Sequence, residues 1–320
     1  MSVLLSICIP TYNRVCQLKN QLLFFENEGV FEDKRIQFIV SDNHSNDGTD
    51  EYLRQFALKH KISLYRQKKN IGGVSNIVVV QKHAKGKYIW IPGDDDILSP
   101  GLVNKIFQII EKYKNIGHIF INHSMVKKEK IEKELYYCGR GGFFYDGFSL
   151  FKNVAEKGGL GGMMFQTANI YRRELVVEAN EIIKRQGEFG NYAKTLGYSL
   201  FCSSLPGYII QEPLVKDELQ SISWKNVGVL VWCRDMIAIC DIIGEAMGMG
   251  DEVRKIITNN LPRMCPEYEY FFRGNKFKKD NYALEMYRRH YKQKLIIDAV
   301  IYPFYTLWRI LRKISPKYRT

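Results

Sequence analysis

The 320-residue chain contains no run of about 18 uncharged apolar residues, so no segment reads as a membrane-crossing helix. Its first residues, MSVLLSICIPTYNR, carry no basic group ahead of the apolar run and no small-residue cleavage site, which excludes the pattern of a secretory signal. Cysteine is sparse. The seven are odd in number and scattered, with no CxxC pair, which argues against a disulfide framework or a structural zinc site and fits a reducing cytosol. The six histidines form neither HExxH nor HxH. Both glycine fingerprints of nucleotide binding, GxGxxG and GxxxxGKS/T, are missing, so a dinucleotide-dependent oxidoreductase and a P-loop enzyme are unsupported. No internal repeat or low-complexity segment is present.

The chain is 46% hydrophobic, enough for a large core, and its length suits one large domain or two smaller ones. The formal net charge is +13, but residues 273–320 hold 13 Lys and Arg against 3 Asp and Glu, so the basic character is a C-terminal property. Such a surplus points to an anionic partner, either a lipid surface or a phosphate-rich ligand.

Apolar runs alternate with helical spacing through the first half. VLLSICI (3–9), IQFIV (36–40), ISLYR (62–66), KYIWI (87–91) and HIFIN (118–122) read as strands. Helices are predicted over 15–27, 47–58 and 74–84, with Ser99 capping a further helix and Pro100 at its first position. Strands buried on both faces with helices between them predict an α/β fold on a mainly parallel sheet. Such sheets bind ligands outside the carboxyl ends of their strands. From about residue 216 the pattern changes. NVGVLVWCRDMIAICDIIGEAM (226–247) is apolar nearly all round and reads as a buried helix, followed by a helix from Asp251 and then the basic, aromatic tail. The predicted division is therefore 1–215 and 216–320.

The stretch YIWIPGDDDILSP (88–100) carries the strongest chemical signal. Asp94, Asp95 and Asp96 follow a buried-looking strand at the ligand edge of the sheet. Adjacent carboxylates raise one another's pKa unless a cation relieves them. Mg²⁺ or Mn²⁺ bound with nucleotide phosphates would do so, because both prefer oxygen ligands.

SICIPTYNR, FIVSDNHSNDGTDEYL, NIGGVSN and GKYIWIPGDDDIL, in that order and spacing, resemble family 2 glycosyltransferases of the GT-A fold. The resemblance spans residues 3–125 and extends to about 215, where GYIIQEPLV is similar to the strand closing the sugar-binding domain. Its flavour is the bacterial surface-polysaccharide branch, including abequosyltransferase-like enzymes. It implies that Pro10, Thr11 and Tyr12 line the nucleotide base and ribose, that Asp42 hydrogen-bonds a pyrimidine, and that Lys69 or Asn70 flanks the base. Asp96 is implied as the direct Mn²⁺ or Mg²⁺ ligand, Asp94 as the contact to ribose or metal-bound water, and Asp95 as the residue facing the sugar. Ser41 stands where many relatives carry the first Asp of a pair, which leaves UDP, CDP and dTDP open as the nucleotide. Asp47-Gly48-Thr49 reads as a helix start. GGLGG (158–162) falls where an acceptor loop of this family lies.

An inverting transfer needs a base for the acceptor hydroxyl. Asp146, Glu174, Glu178, Glu181 and Glu188 are the candidates. Glu188 lies where the resemblance implies a catalytic base. The implied function is transfer of a sugar from a nucleoside diphosphate to a glycan or lipid-linked glycan, by a cytoplasmic protein peripheral on the inner face of the membrane. A nucleotide-sugar binder without catalysis is one alternative. A nucleic-acid-binding protein is another, disfavoured because the charge is confined to the end and no base-stacking module is recognisable.

LIIDAVIYPFYTLWRILRKISPKYRT (295–320) combines aromatic residues of the kind that settle at headgroup depth with Lys and Arg toward anionic lipid. Each basic residue near such a surface contributes about 1 kcal/mol. The full-length chain is therefore expected to co-sediment with phosphatidylserine-containing liposomes at low salt and to be released at high salt. A chain that stays in the supernatant at both would show the tail to be a structural element.

Overall fold

The computed structural model describes residues 2–127, 130–218 and 235–264. Two compact units, 1–265 and 266–320, divide the chain. The second unit, with the basic tail, lies outside the described residues, as do residues 226–234 of the long apolar segment.

Four parallel strands form one side of the sheet: β1 (Leu5–Thr11), β2 (Ile36–Asp42), β3 (Ser63–Arg66) and β4 (Tyr88–Trp90). Helices α1 (Val15–Asn27), α2 (Thr49–Lys59) and α3 (Gly73–His83) make the crossovers. The α/β reading of the first half therefore holds, with boundaries within two residues or so. The full order is β3-β2-β1-β4-β9-β6-β10-β5, where β6 is His118–Lys127, β10 is Gly207–Glu218, β9 is Asn169–Arg172 and β5 is Ile97–Leu98. β6 and β10 run parallel to each other, whereas β9 lies antiparallel between β4 and β6. Two short strands, β7 (Lys130–Lys133) and β8 (Gly142–Phe144), pair with β6 and β10. These short antiparallel additions have no periodicity long enough to read. They are strands because a neighbouring edge completes their hydrogen bonds.

The predicted cap at Ser99 does not form. Helix α4 (Leu102–Lys112) begins after Gly101, which takes a left-handed conformation with φ of 81°. Ser99 instead donates its N–H to the Leu214 carbonyl at 2.9 Å, so pairing of β5 with β10 holds this stretch extended. The free N–H groups at the helix start go to Glu28, whose carboxylate accepts from Gly101 at 2.7 Å and Val103 at 3.2 Å. A carboxylate from another element thus does the work of the local cap.

The core lies where α1 and α4 cover the sheet. Phe25 meets Phe38 and Trp90 edge-on at 5.1 and 5.8 Å, and Phe31 extends the cluster to Phe56. After β9 come α7 (Arg173–Lys184) and α8 (Asn191–Cys202); α9 (Met236–Ala246) and α10 (Gly250–Met264) follow β10. Helix α9 is buried around most of its circumference, as the apolar run predicts. Its crowding against α8 is tight: a methyl group at Gly197 would sit 2.7 Å from Ile239.

Asp47 does the structural work read for it. Its carboxylate accepts from the Val15 N–H at 2.9 Å, at the start of α1, and from the Thr49 N–H and hydroxyl at 3.1 and 2.6 Å, at the start of α2. Gly48, at φ of 91°, makes the turn between them. Asp47→Ala should therefore cost about 1–2 kcal/mol, measured as a lower urea midpoint with an unchanged m value. An unaltered midpoint would show that water replaces both caps without loss.

Candidate active site

The carboxyl ends of β1, β2 and β4 bring three loops to one edge. Asp94, only 4% exposed, ties two of them. One carboxylate oxygen accepts the Thr11 hydroxyl at 2.7 Å, and the other accepts Arg14 Nη1 at 2.7 Å. The same guanidinium lies 2.8 Å from Asp95. Burial pushes the Asp94 carboxyl above its ordinary range, and Arg14 and the Thr11 hydroxyl act against that shift.

Asp96 is held differently. Thr167, in the turn before β9, donates its hydroxyl to Asp96 and accepts the Gly93 N–H at 2.8 Å. The Thr167 carbonyl in turn accepts the Trp90 indole at 2.8 Å. A Cβ at Gly93 would lie 2.5 Å from an Asp96 carboxylate oxygen, so a larger residue there would displace that carboxylate. Burial, then Asp95, push the Asp96 carboxyl well above the ordinary range, and Asp217 and Asp94 add to the effect.

Asp217 was not singled out in the sequence. It lies on β10, one residue past the pair Lys216↔Ile97, so the antiparallel course of β5 and β10 brings it toward Asp96. Burial, followed by Asp95, raises its carboxyl to about 6. Tyr192, in the first turn of α8, closes the group. Its phenol is pushed up by burial and then by Asp217, Asp95 and Asp96. Four carboxylates thus share one edge with Arg14.

Among the described residues no group of three or more His, Cys, Asp or Glu side chains is arranged to hold a metal ion alone. The donor chemistry nevertheless fits a divalent cation that arrives with phosphate oxygens. Asp96 offers a crowded carboxylate whose only hydrogen-bond partner among the described residues is the Thr167 hydroxyl. Asp94 is the poorer ligand, because Thr11 and Arg14 engage both its oxygens.

Asp42, at the end of β2, is fully buried. Its Oδ1 accepts the Ser45 N–H at 3.0 Å. Oδ2 has no hydrogen bond and faces Arg66 Nε at 3.5 Å. Ser41 belongs to a neutral buried set. Its hydroxyl donates to Asn76 at 2.6 Å, its carbonyl accepts Asn76 Nδ2 at 2.9 Å, and Gln67 approaches at 3.0 Å. Asn70 latches two loops by accepting Asn43 Nδ2 at 2.9 Å and the Gly72 N–H at 2.8 Å. Pro10 lies half-buried on β1, the Tyr12 ring is exposed beside it, and Lys69 is exposed on the loop after β3.

The acids considered as bases are dispersed. Asp146 caps α5 (Gly147–Lys157), accepting from the Phe148 N–H at 3.0 Å and the Ser149 hydroxyl at 2.6 Å. Glu174 pairs with Arg172 at 2.9 Å, and Glu178 and Glu181 are exposed on α7. Glu188 is exposed in the loop before α8, where its charge acts on Lys194. GGLGG runs into the short helix α6 (Gly161–Met164), with Gly162 packed under Tyr136. Sequence reasoning missed Thr167, Tyr192 and Asp217. Arg14 stood in the quoted PTYNR without a role, and Asp217 lies two residues past GYIIQEPLV.

A mainly parallel sheet with an acidic loop at the carboxyl end of its fourth strand, at the same edge as an acid on the second, is the frame of a GT-A glycosyltransferase. The profile described as "Glycosyl transferase family 2" matches residues 6–178, and the chain belongs to that family. Abequosyltransferase RfbV of Salmonella typhimurium is 36% identical over 99 residues, which are 30% of this chain and 29% of the relative. The chain thus aligns with under a third of that protein's length. S. aureus TarS 1-349 in complex with UDP-GlcNAc superposes with a TM-score of 0.64 at 13% identity, over 90% of this chain and 80% of that one. Mannosyltransferase PcManGT from Pyrobaculum calidifontis, in complex with GDP-Man and Mn²⁺, superposes with a TM-score of 0.51 at 13% identity, over 100% of this chain and 83% of that one.

The raised Asp217 carboxyl has a consequence for stability. A group whose folded pKa lies above its unfolded value costs stability when ionised, so the cost is absent below about pH 4 and complete once the pH passes about 6. Asp217→Asn should therefore be more stable than the parent at pH 8, with the difference vanishing toward pH 4, as read from urea midpoints. Equal midpoints at pH 8 would contradict this electrostatic account.

Proposed function

We propose that the chain is an inverting glycosyltransferase that moves a sugar from a nucleoside diphosphate to a surface glycan or its lipid-linked precursor. The observation that carries this reading is the acidic loop after β4, held against β1 by Asp94 and lying at the same edge as Asp42. The similar proteins support it: one is an abequosyltransferase and another a mannosyltransferase, and two of the similar structures hold UDP-GlcNAc and GDP-Man.

Residues 1–215, continued through Asp217 at the end of β10, supply the catalytic domain in this reading. Asp42 receives the base. Its buried carboxylate, whose Oδ2 faces Arg66, is an acceptor that suits the N3–H of uracil or thymine and equally the N4 amino group of cytosine. UDP, CDP and dTDP therefore all fit. Pro10 and Tyr12 flank the base, and Lys69 lies near enough along the chain to meet its outer face. Thr11 acts through Asp94 rather than on the nucleotide. Asp96 would hold Mn²⁺ or Mg²⁺, and Asp95 faces the transferred sugar. When bound, the cation supplies Lewis-acid stabilisation of the departing diphosphate. No helix among the described residues is long and apolar enough to cross a membrane. The basic tail is the proposed means of bringing the site to a lipid-linked acceptor.

A thermal-shift panel of UDP, CDP, GDP and dTDP, each with and without Mn²⁺, tests the reading. A ligand at 100 times its Kd stabilises by about 2.7 kcal/mol. UDP, CDP or dTDP with Mn²⁺ should shift the transition more than GDP. Asp96→Ala should abolish the Mn²⁺-dependent part and lower turnover by about 100-fold or more. A panel with no shift from any nucleotide would overturn the reading.

A further inference from the structure

We infer that Asp217 is the carboxylate that accepts the proton of the attacking acceptor hydroxyl, an assignment that rests on the transferase reading above. Three of the four acids at this edge are already engaged. Asp94 has both oxygens bonded, to Thr11 and Arg14. Asp95 lies against the same guanidinium, and Asp96 is held by the Thr167 hydroxyl. Away from the edge, Asp146 caps a helix and Glu188 is exposed beside Lys194. Asp217 differs from all of these. Among the described residues its carboxylate makes no hydrogen bond or ion pair, yet it is partly buried and acts electrostatically on Asp96, Tyr136 and Tyr192.

Position supports the same role. β5 leaves the acidic loop directly after Asp96, and its two-residue pairing with β10 fixes Asp217 across from that loop. β10 also pairs with β6, with Asp217 opposite Met125, so the residue is carried on a strand bonded on both sides. A base on such a strand keeps its direction better than one on a loop. A donor whose diphosphate lies at Asp96 would present its sugar toward Asp95. Asp217 and the Tyr192 phenol would then border the space left for the acceptor.

The step balances without any further reactant. The acceptor oxygen bonds to the anomeric carbon while its proton passes to a carboxylate oxygen of Asp217. The bond between the anomeric carbon and the phosphate oxygen breaks, and its electron pair leaves with the nucleoside diphosphate. Inversion follows, because attack and departure take place on opposite faces.

The test uses the full-length chain with Asp217→Asn, Asp217→Ala and Glu188→Gln. Two quantities are read: the thermal shift with UDP and Mn²⁺, and UDP release from a panel of UDP-hexoses and UDP-N-acetylhexosamines with a membrane-lipid extract as acceptor. Asp217→Asn should keep the shift and lose release by about 100-fold or more, the scale of a lost general base. Sodium formate should restore part of the release to Asp217→Ala by replacing the missing carboxylate. Normal release from Asp217→Asn overturns the assignment, as does a loss confined to Glu188→Gln. So does loss of the Mn²⁺-dependent share of the shift in Asp217→Asn, which would make the residue a cation ligand. Parent protein that shows no shift with UDP, CDP, GDP or dTDP and no release overturns the transferase reading itself, so the two failures are distinguishable.

Discussion

The buried carboxylate of Asp94 organises this edge of the sheet. A charge taken out of water needs a partner, and here it has a cation and a hydroxyl from the loop that follows β1. That requirement draws the loop after β4 onto the loop after β1. It also places Arg14 where it faces Asp95. With one guanidinium drawn to Asp94 and Asp95, Asp96 and Asp217 stay close together with little compensation. The electrostatic character of the whole site follows from that imbalance.

Such a cluster needs a stiff surround, and the fold supplies one from distant segments. Thr167 grips Gly93 and Asp96 from the turn before β9. Its carbonyl is anchored by Trp90, which packs on Phe25 in the aromatic core. β5 pins the far end of the acidic loop to β10. On the other side, Asp47 laces the starts of α1 and α2 together, and the Asn43–Asn70 latch joins the loops after β2 and β3. Repulsion among the acids is thus opposed by hydrogen bonds that run back to the core, so the four carboxyl groups stay gathered at this edge.

The first half was legible because its signals are local. Each β-strand of the parallel side is a short β-branched run, each crossover helix has its own spacing, and Asp-Gly-Thr announces the turn into α2. Asp94, Asp95 and Asp96 could be read as a site because three like charges at a strand end conflict with simple solvation. The cap at Ser99 was misread for a reason of the opposite kind. Ser-Pro before an apolar run is a sound local start signal, but pairing with β10 keeps that segment extended until Gly101.

By itself the sequence determined the alternating α/β order, the strand ends that carry ligand-facing loops, and the identity of the acids there. Those are properties of neighbours along the chain. Only the tertiary structure decided which acids are engaged and which is left open, because that depends on partners about 70 residues or more apart, as in Thr167 with Asp96 and Arg14 with Asp94. It also inserted β9 between β4 and β6, which sets Thr167 beneath the acidic loop, and it carried Asp217 to that loop along β10. Hydrogen-bond completion across a sheet has no signature in a four-residue strand. The closing half of the site therefore became visible only once the sheet was assembled.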